Sequence, residues 1–303
     1  MRDLRTLPWV SIDNDDSRDL DQLTVATPGA DRFVTVLVAV ADVDALVVKD
    51  SALDAHARHN TTSVYASGDI FPMLPEKLST YLTSLGEGQD RMAIVVEFVV
   101  AEHGEVIGSS LFRALVRNHA KLAYNSVAAW LTGTAPAPER ISAVSGLDAQ
   151  LRLQDQVAQR LKTRRHQQGA LSLETIEPRA VFDGDVLMAI RVDQKNRAKE
   201  LIEDFMIAAN QATAAYLKSK RIPSFRRILR SPERWQRIVD VAARWGEPLP
   251  AEPDAQALEA FLVTRRKSDP LRFPDLSLAI VKLIGRANTC SMHRETARRN
   301  ILA

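Results

Sequence analysis

Asp13-Asn14-Asp15-Asp16-Ser17-Arg18-Asp19-Leu20-Asp21-Gln22 sets five carboxylates in ten residues, between two short apolar runs. Leu7-Pro8-Trp9-Val10-Ser11-Ile12 leads in and Leu23-Thr24-Val25-Ala26 leads out, and both are rich in β-prone residues. Like charge at this density repels itself unless a cation or partner group offsets it. Hard oxygen donors suit Mg²⁺ or Mn²⁺, ions that keep part of their water and also bind phosphate oxygens. On charge count alone the run reads as a solvated loop. A calcium loop starts the same way at Asp13 and Asp15. It fails at Arg18, where the sharp turn needs Gly, and at Thr24, where a bidentate Glu belongs. Position favours a metal-assisted phosphodiester site: Asp13 closes one predicted strand, and Asp19 and Asp21 open the next, two residues apart and so on one face.

Outward from this stretch, 32–41 and 92–101 become continuously apolar and read as buried strands, while 186–192 alternates as a further strand. Helices are predicted over 54–59, over 147–168 with Gly169 as the stop, over 197–218, over 231–245 with Ser231-Pro232 as cap and first turn, and over 255–266. The stretches 68–75 and 135–139 carry Gly and Pro and read as loops. The fold class is α+β, a mixed, curved β-sheet with flanking helices.

At 303 residues and 46% apolar content the chain can bury a substantial core. Net charge is only +2, so a general basic coat is excluded as a source of polyanion binding. Distribution matters more. Lys162, Arg164, Arg165 and His166 cluster, as do Lys218, Lys220, Arg221, Arg226, Arg227 and Arg230; each group reads as a solvated face or as a path for a phosphate backbone. No apolar run reaches about 18 residues and no signal core opens the chain, so no membrane association is expected. A single cysteine, Cys290, fits a reducing, cytoplasmic setting. Six histidines without a paired spacing leave zinc no seat, and there is no Gly-rich phosphate loop.

Ser11-Ile12-Asp13 followed by Ser17-Arg18-Asp19-Leu20-Asp21 resembles the signature of the ribonuclease II/R superfamily, the RNB catalytic domain. The family's order continues through Val38-Ala39-Val40-Ala41-Asp42-Val43, Ser51-Ala52-Leu53-Asp54, Thr62-Ser63-Val64-Tyr65 and Pro72-Met73-Leu74-Pro75-Glu76-Lys77-Leu78-Ser79. Ser84-Leu85, Asp90-Arg91-Met92-Ala93, Leu201-Ile202-Glu203-Asp204-Phe205-Met206 and Ala209-Asn210 follow. The resemblance implies a monomeric 3′→5′ exoribonuclease that degrades single-stranded RNA to nucleoside 5′-monophosphates with Mg²⁺ or Mn²⁺. Asp13, Asp19 and Asp21 match three of the family's four catalytic aspartates: Asp13 and Asp21 as metal ligands, Asp19 as their support. The fourth position is Gln22, whose amide oxygen can ligate a metal but brings no charge; Asp15 and Asp16 are candidates to supply the missing charge. Tyr65 corresponds to the residue at the 3′-terminal nucleotide and Tyr124 to a second aromatic contact. Glu203, with Asp204 as the alternative, corresponds to the reader of sugar hydroxyls. Either tyrosine also fits as an interface aromatic with a polar tip.

The resemblance divides the chain into a partial RNB domain over 1–285 and a tail, 286–303, without family likeness. The family's N-terminal cold-shock domains are expected to be missing, as are its arginine-bearing phosphate block and C-terminal S1 domain. Back-translated with GC-rich codons and read one nucleotide earlier, the tail can spell a stretch ending His-Phe-Gly, as family members do there. A frameshift is therefore expected, and a continuous frame at the locus is the observation that refutes it. An impaired RNA-binding fragment and an unstable remnant are the alternatives to an active enzyme.

Overall fold

The computed structural model describes residues 1–292, apart from 67–68, 175, 177, 185, 193–194, 229–231, 233 and 286–287. In chain order the strands and helices are β1 (Arg2–Asp3), β2 (Trp9–Asp13), β3 (Gln22–Pro28), β4 (Val34–Ala41), α1 (Ala52–Asn60), β5 (Val64–Tyr65), β6 (Ile70–Phe71), β7 (Asp90–Val100) and β8 (Val106–Ala123). There follow α2 (Tyr124–Leu131), α3 (Glu139–Ala143), α4 (Leu147–Gln167), β9 (Pro178–Asp183), β10 (Val186–Val192), α5 (Arg197–Ser219), β11 (Ser224–Ile228), α6 (Trp235–Arg244), α7 (Ala255–Ser268), α8 (Phe273–Ile284) and β12 (Asn288–Met292). Contacts divide the chain into two compact units, residues 1–161 with 178–213, and residues 162–177 with 214–303.

The first unit is built on a mixed, curved sheet in the order β1-β8-β2-β3-β4-β7. The long strand β8 bends it round. Its first part pairs antiparallel with β7, from Val100↔Val106 to Asp90↔Arg117, and its last part pairs parallel with β2, from Trp9↔Asn118 to Asp13↔Ala123. Hydrogen bonding thus returns to its start through β2, β3, β4, β7 and β8. Asn118 sits where pairing changes partner. Its buried amide donates to the Ser11 hydroxyl at 3.0 Å and the Leu85 carbonyl at 2.9 Å, and accepts from the Ala120 N–H at 3.1 Å. These bonds satisfy groups that the irregular register would leave bare.

Alternation along the strands makes two cores. Trp9, Leu23, Val25, Leu37, Ala39, Val95 and Val116 fill one face of the curved sheet. Val10, Ile12, Val36, Val38, Phe98 and Leu122 on the other face pack against Trp130, Leu151 and Phe205 of α2, α4 and α5. Phe98 and Phe205 meet edge to face, 6.3 Å between centroids. The second unit has its own core, including Trp235, Ile238, Leu258, Phe261, Leu262 and Phe273.

Most predicted elements recur with small boundary shifts. Gly169, at φ +93°, ends α4 as expected. Part of the stretch expected as loop forms β6 instead, which pairs with β5 through Val64↔Phe71 and Tyr65↔Ile70; Gly68 lies outside the described residues. The helix expected from residue 231 starts at Trp235, and its proposed cap Ser231 lies outside the described residues. The basic side chains of Arg226, Arg227 and Arg230 and that of Cys290 lie outside them too, as does most of the tail; its Asn288–Met292 segment pairs with β11. Among the described residues no helix is long and apolar enough to cross a membrane.

Candidate active site

β2 carries Asp13 out at its end, because Val10 and Ile12 anchor one face in the core and Trp9 the other. The chain then turns, with the Asn14 N–H donating to Asp13 Oδ1 at 2.7 Å and the Ser17 N–H to the Asn14 carbonyl at 3.2 Å. Lys121 Nζ, from β8, clamps the turn by donating to the carbonyls of Ser17 at 2.6 Å and Asp15 at 3.2 Å. Ser84 holds the next stretch. Its hydroxyl donates to the Arg18 carbonyl at 2.8 Å and accepts from the Leu20 N–H at 3.1 Å, and the Leu85 N–H donates to the Leu20 carbonyl at 2.8 Å.

One expectation is corrected here. Asp19 and Asp21 do not open the second strand; β3 begins at Gln22. They lie on an extended segment whose partner is the 84–85 loop, and the Asp21 carbonyl accepts from the Ala41 N–H at 3.0 Å. Alternation survives without the strand: Leu20 is buried between them, so the two carboxylates project away from the core.

The three aspartates converge electrostatically. Solvent reaches Asp21, yet the protein crowded around it is the leading cause that raises its pKa, followed by the charge of Asp13 and then that of Asp19. Tyr65 donates its hydroxyl to Asp19 Oδ2 at 3.2 Å. Its own pKa is raised by desolvation first, then by the charge of Asp19 and by that hydrogen bond, with Asp21 and Asp13 adding to the effect. Tyr124, the first residue of α2, is pushed up to about 12 by burial and by the charges of Asp13 and Asp21. Four of the expected residues, Asp13, Asp19, Asp21 and Tyr65, thus share one site with Tyr124. Tyr65 stays 66% exposed, so a ligand can reach it.

Gln22 and Glu203 stand differently. Gln22 is buried on the β3 face that also carries Thr24, whose hydroxyl donates to Gln154 of α4 at 2.7 Å. Glu203, on α5, pairs with Lys195 Nζ at 2.6 Å, while Lys199 on the same helix lies over the Tyr124 ring. Asp15 and Asp16 are exposed at the turn, where Asp15 and Lys121 line a cleft of about 320 Å³ with Ser126 and Arg140. Nothing in the local pattern singles out Ser84 or Lys121, which shape the acidic loop; the one signal is the place of Ser84 in the Ser84-Leu85 block of the family resemblance.

The chain matches the RNB domain family over residues 1–299. It belongs to the RNB family. Ribonuclease R of Vibrio parahaemolyticus is 36% identical over 231 residues, covering 76% of this chain and 27% of the relative. Ribonuclease R of Escherichia coli is 31% identical over 286 residues, covering 88% of this chain and 35% of the relative. The RNB chain thus spans about a third of the length of these curated relatives. Among solved structures, Mycoplasma genitalium RNase R in complex with double-stranded RNA superposes with a TM-score of 0.85 at 23% identity, covering 95% of this chain and 51% of that one. Yeast Ssd1, described as a pseudonuclease, has the same fold, with a TM-score of 0.73 at 15% identity over 95% of this chain and 35% of that one.

The RNB site suits a hard cation. Arg18, the nearest cation in sequence, pairs with Glu76 instead at 3.4 Å, and among the described residues no Lys or Arg forms an ion pair with Asp13, Asp19 or Asp21. Among those residues no three His, Cys, Asp or Glu side chains close on a ready-made metal site. One or two uncompensated carboxylates completed by water and substrate phosphate is the arrangement Mg²⁺ favours, and this donor set fits it.

Proposed function

We propose that this RNB domain hydrolyses single-stranded RNA from the 3′ end and releases nucleoside 5′-monophosphates, as the notion of a 3′→5′ exoribonuclease requires. The observation that carries the reading is the convergence of Asp13, Asp19 and Asp21, without an ion-paired Lys or Arg among the described residues, between Tyr65 and Tyr124. A single strand can splay its last bases onto aromatic faces, which a duplex cannot. Tyr65 is exposed and offers its ring to the terminal base while its hydroxyl stays tied to Asp19. Tyr124 takes a second contact, and Glu203 accepts from a ribose hydroxyl.

Asp21 orients the attacking water in line with the scissile bond; the water oxygen joins phosphorus and gives up a proton to solvent, the bond to O3′ breaks and O3′ takes up a proton, so the shortened RNA leaves with a 3′-hydroxyl and the last residue as its 5′-monophosphate. Asp19 positions the other two carboxylates and Tyr65. Mg²⁺ or Mn²⁺, held by Asp13 and Asp21 with the Gln22 amide as a neutral donor, would neutralise charge developing on the phosphoryl oxygens. The protein acts as a cytoplasmic monomer. RNA binding without turnover is the second reading, favoured by Gln22 standing where a charged ligand is expected and by its burial on the α4 side of β3.

A 5′-labelled oligoribonucleotide incubated with Mg²⁺ and with EDTA tests both. A ladder shortening from the 3′ end, dependent on metal and suppressed about 100-fold or more by Asp21→Asn, is the expected outcome. A parent that shifts the RNA in a gel but gives no ladder in Mg²⁺ or Mn²⁺ leaves the binding reading standing; a parent that does neither removes both.

A further inference from the structure

The acidic loop has no apolar anchor of its own. Between Ile12 and Leu20, which are buried, every residue is exposed or half-buried, so polar bonds must fix the path of residues 13–19. Lys121 supplies the first of these from β8. Its strand pairs parallel with β2, Ser11↔Lys121 and Asp13↔Ala123, and its N–H donates to Glu87 Oε2 at 2.7 Å. From that fixed backbone the ammonium reaches the loop and donates to the carbonyls of Ser17 at 2.6 Å and Asp15 at 3.2 Å. The Ser17 N–H closes the turn onto the Asn14 carbonyl at 3.2 Å, and the Asn14 N–H donates to Asp13 Oδ1 at 2.7 Å. A continuous run of bonds thus leads from β8 to the Asp13 carboxylate. On the other side, Ser17 precedes Arg18, whose carbonyl accepts from Ser84, and the held chain runs on to Asp19 and Asp21.

Mg²⁺ demands near-ideal placement of its oxygen donors, and groups that orient a ligand count for nearly as much as the ligand. We propose that Lys121 is a positioning residue that sets Asp13 and Asp21 at the spacing a divalent cation needs, acting through the carbonyls of Asp15 and Ser17. Position and charge pull in opposite directions here. An ammonium beside carboxylates lowers their attraction for a second cation, so its removal tightens metal binding if charge is all it brings. If it holds the loop, its removal loosens metal binding. The proposal rests on the exoribonuclease reading above for what the ion does once bound.

The test reads Mn²⁺ bound by the protein without RNA, from the paramagnetic signal of the free ion, beside thermal melts in EDTA. Lys121→Met is expected to weaken Mn²⁺ binding about tenfold, as loss of a group that orients a metal ligand does. Lys121→Arg, which still donates to carbonyls, should recover most of it. Lys121→Gln keeps a shorter donor and should fall between, and it carries the test if the methionine variant does not fold. In the RNA assay the kcat deficit of Lys121→Met should shrink as Mg²⁺ is raised. Tighter Mn²⁺ binding in Lys121→Met and Lys121→Gln assigns the effect to charge and overturns the proposal. Binding equal to the parent's with a lower Tm makes the bonds merely structural and overturns it too. A parent that binds Mn²⁺ but cuts no RNA removes the exoribonuclease reading, and the variants' Mn²⁺ constants still decide this one. A parent that binds no Mn²⁺ overturns both.

Discussion

Asp21 carries a cost that the fold accepts for its position. Its raised pKa means that the ionised form is less favourable in the folded chain than in the unfolded one, so the charge works against folding at neutral pH. Removing that charge while keeping the shape should relieve Asp13 and Asp19. Asp21→Asn is therefore expected to raise Tm in chelator. Mg²⁺ should raise the parent's Tm, since an ion bound only by the folded form stabilises it, and should do little for the variant. Calorimetry with and without Mg²⁺ checks this; a variant that melts lower than the parent in EDTA contradicts the repulsion. Much of this site was legible in the sequence, since Asp13, Asp19, Asp21 and Tyr65 lie in short motifs whose spacing survives folding. What holds the loop was not. Ser84 reaches Arg18 across 66 residues and Lys121 reaches Ser17 across 104, and no local pattern encodes such contacts.

β8 shows why one strand escaped sequence reading while its neighbours did not. Its inward positions Ala114, Val116, Asn118, Ala120 and Leu122 do alternate, but small or polar residues hold three of them, and Arg113, Arg117, His119 and Lys121 stand between. The periodicity is right and the hydrophobic contrast is weak. β4 and β7, apolar almost throughout, were plain. β5 and β6, two exposed residues each, have no pattern to read. The cations of β8 also do structural work. Asp90, at the start of β7, accepts from Arg117 at 2.6 Å and from Arg5 at 2.8 Å, tying β7 to β8 and to the segment after β1. Arg117 first and Arg5 second hold its pKa down at about 2. A carboxylate with a lowered folded pKa stabilises above its unfolded value, near 3.8, and loses that contribution as pH falls towards 2. Asp90→Asn should thus lower Tm modestly at neutral pH, because the network is solvent-exposed and screened. Parent and variant should converge between pH 3.8 and about 2. Melts across that range decide it, and a gap that widens on acidification contradicts the assignment.

The whole chain is organised around separate cores rather than one. Two clusters serve the faces of the curved sheet in the first unit, and a third, centred on Trp235, Phe261 and Phe273, belongs to the second. Composition promised enough apolar residues for a large core but carries no information on how they partition. The carboxylates of the candidate site and both tyrosines all lie in the first unit, on elements anchored by its own clusters. A cavity made in the third core should accordingly be felt where it is made. Phe261 is 2% exposed, and truncating such a ring costs about 3–5 kcal/mol. With Phe261→Ala, hydrogen exchange should quicken at amides of α6, α7 and α8, because local opening draws on the contacts of its own unit. The amides of β3 and β4 should keep the parent's protection, and so should the Tyr65 and Tyr124 contacts that depend on them. Equal loss of protection in β3 and β4 would show that the two units unfold as one block, and that the carboxylate site draws its stability from both.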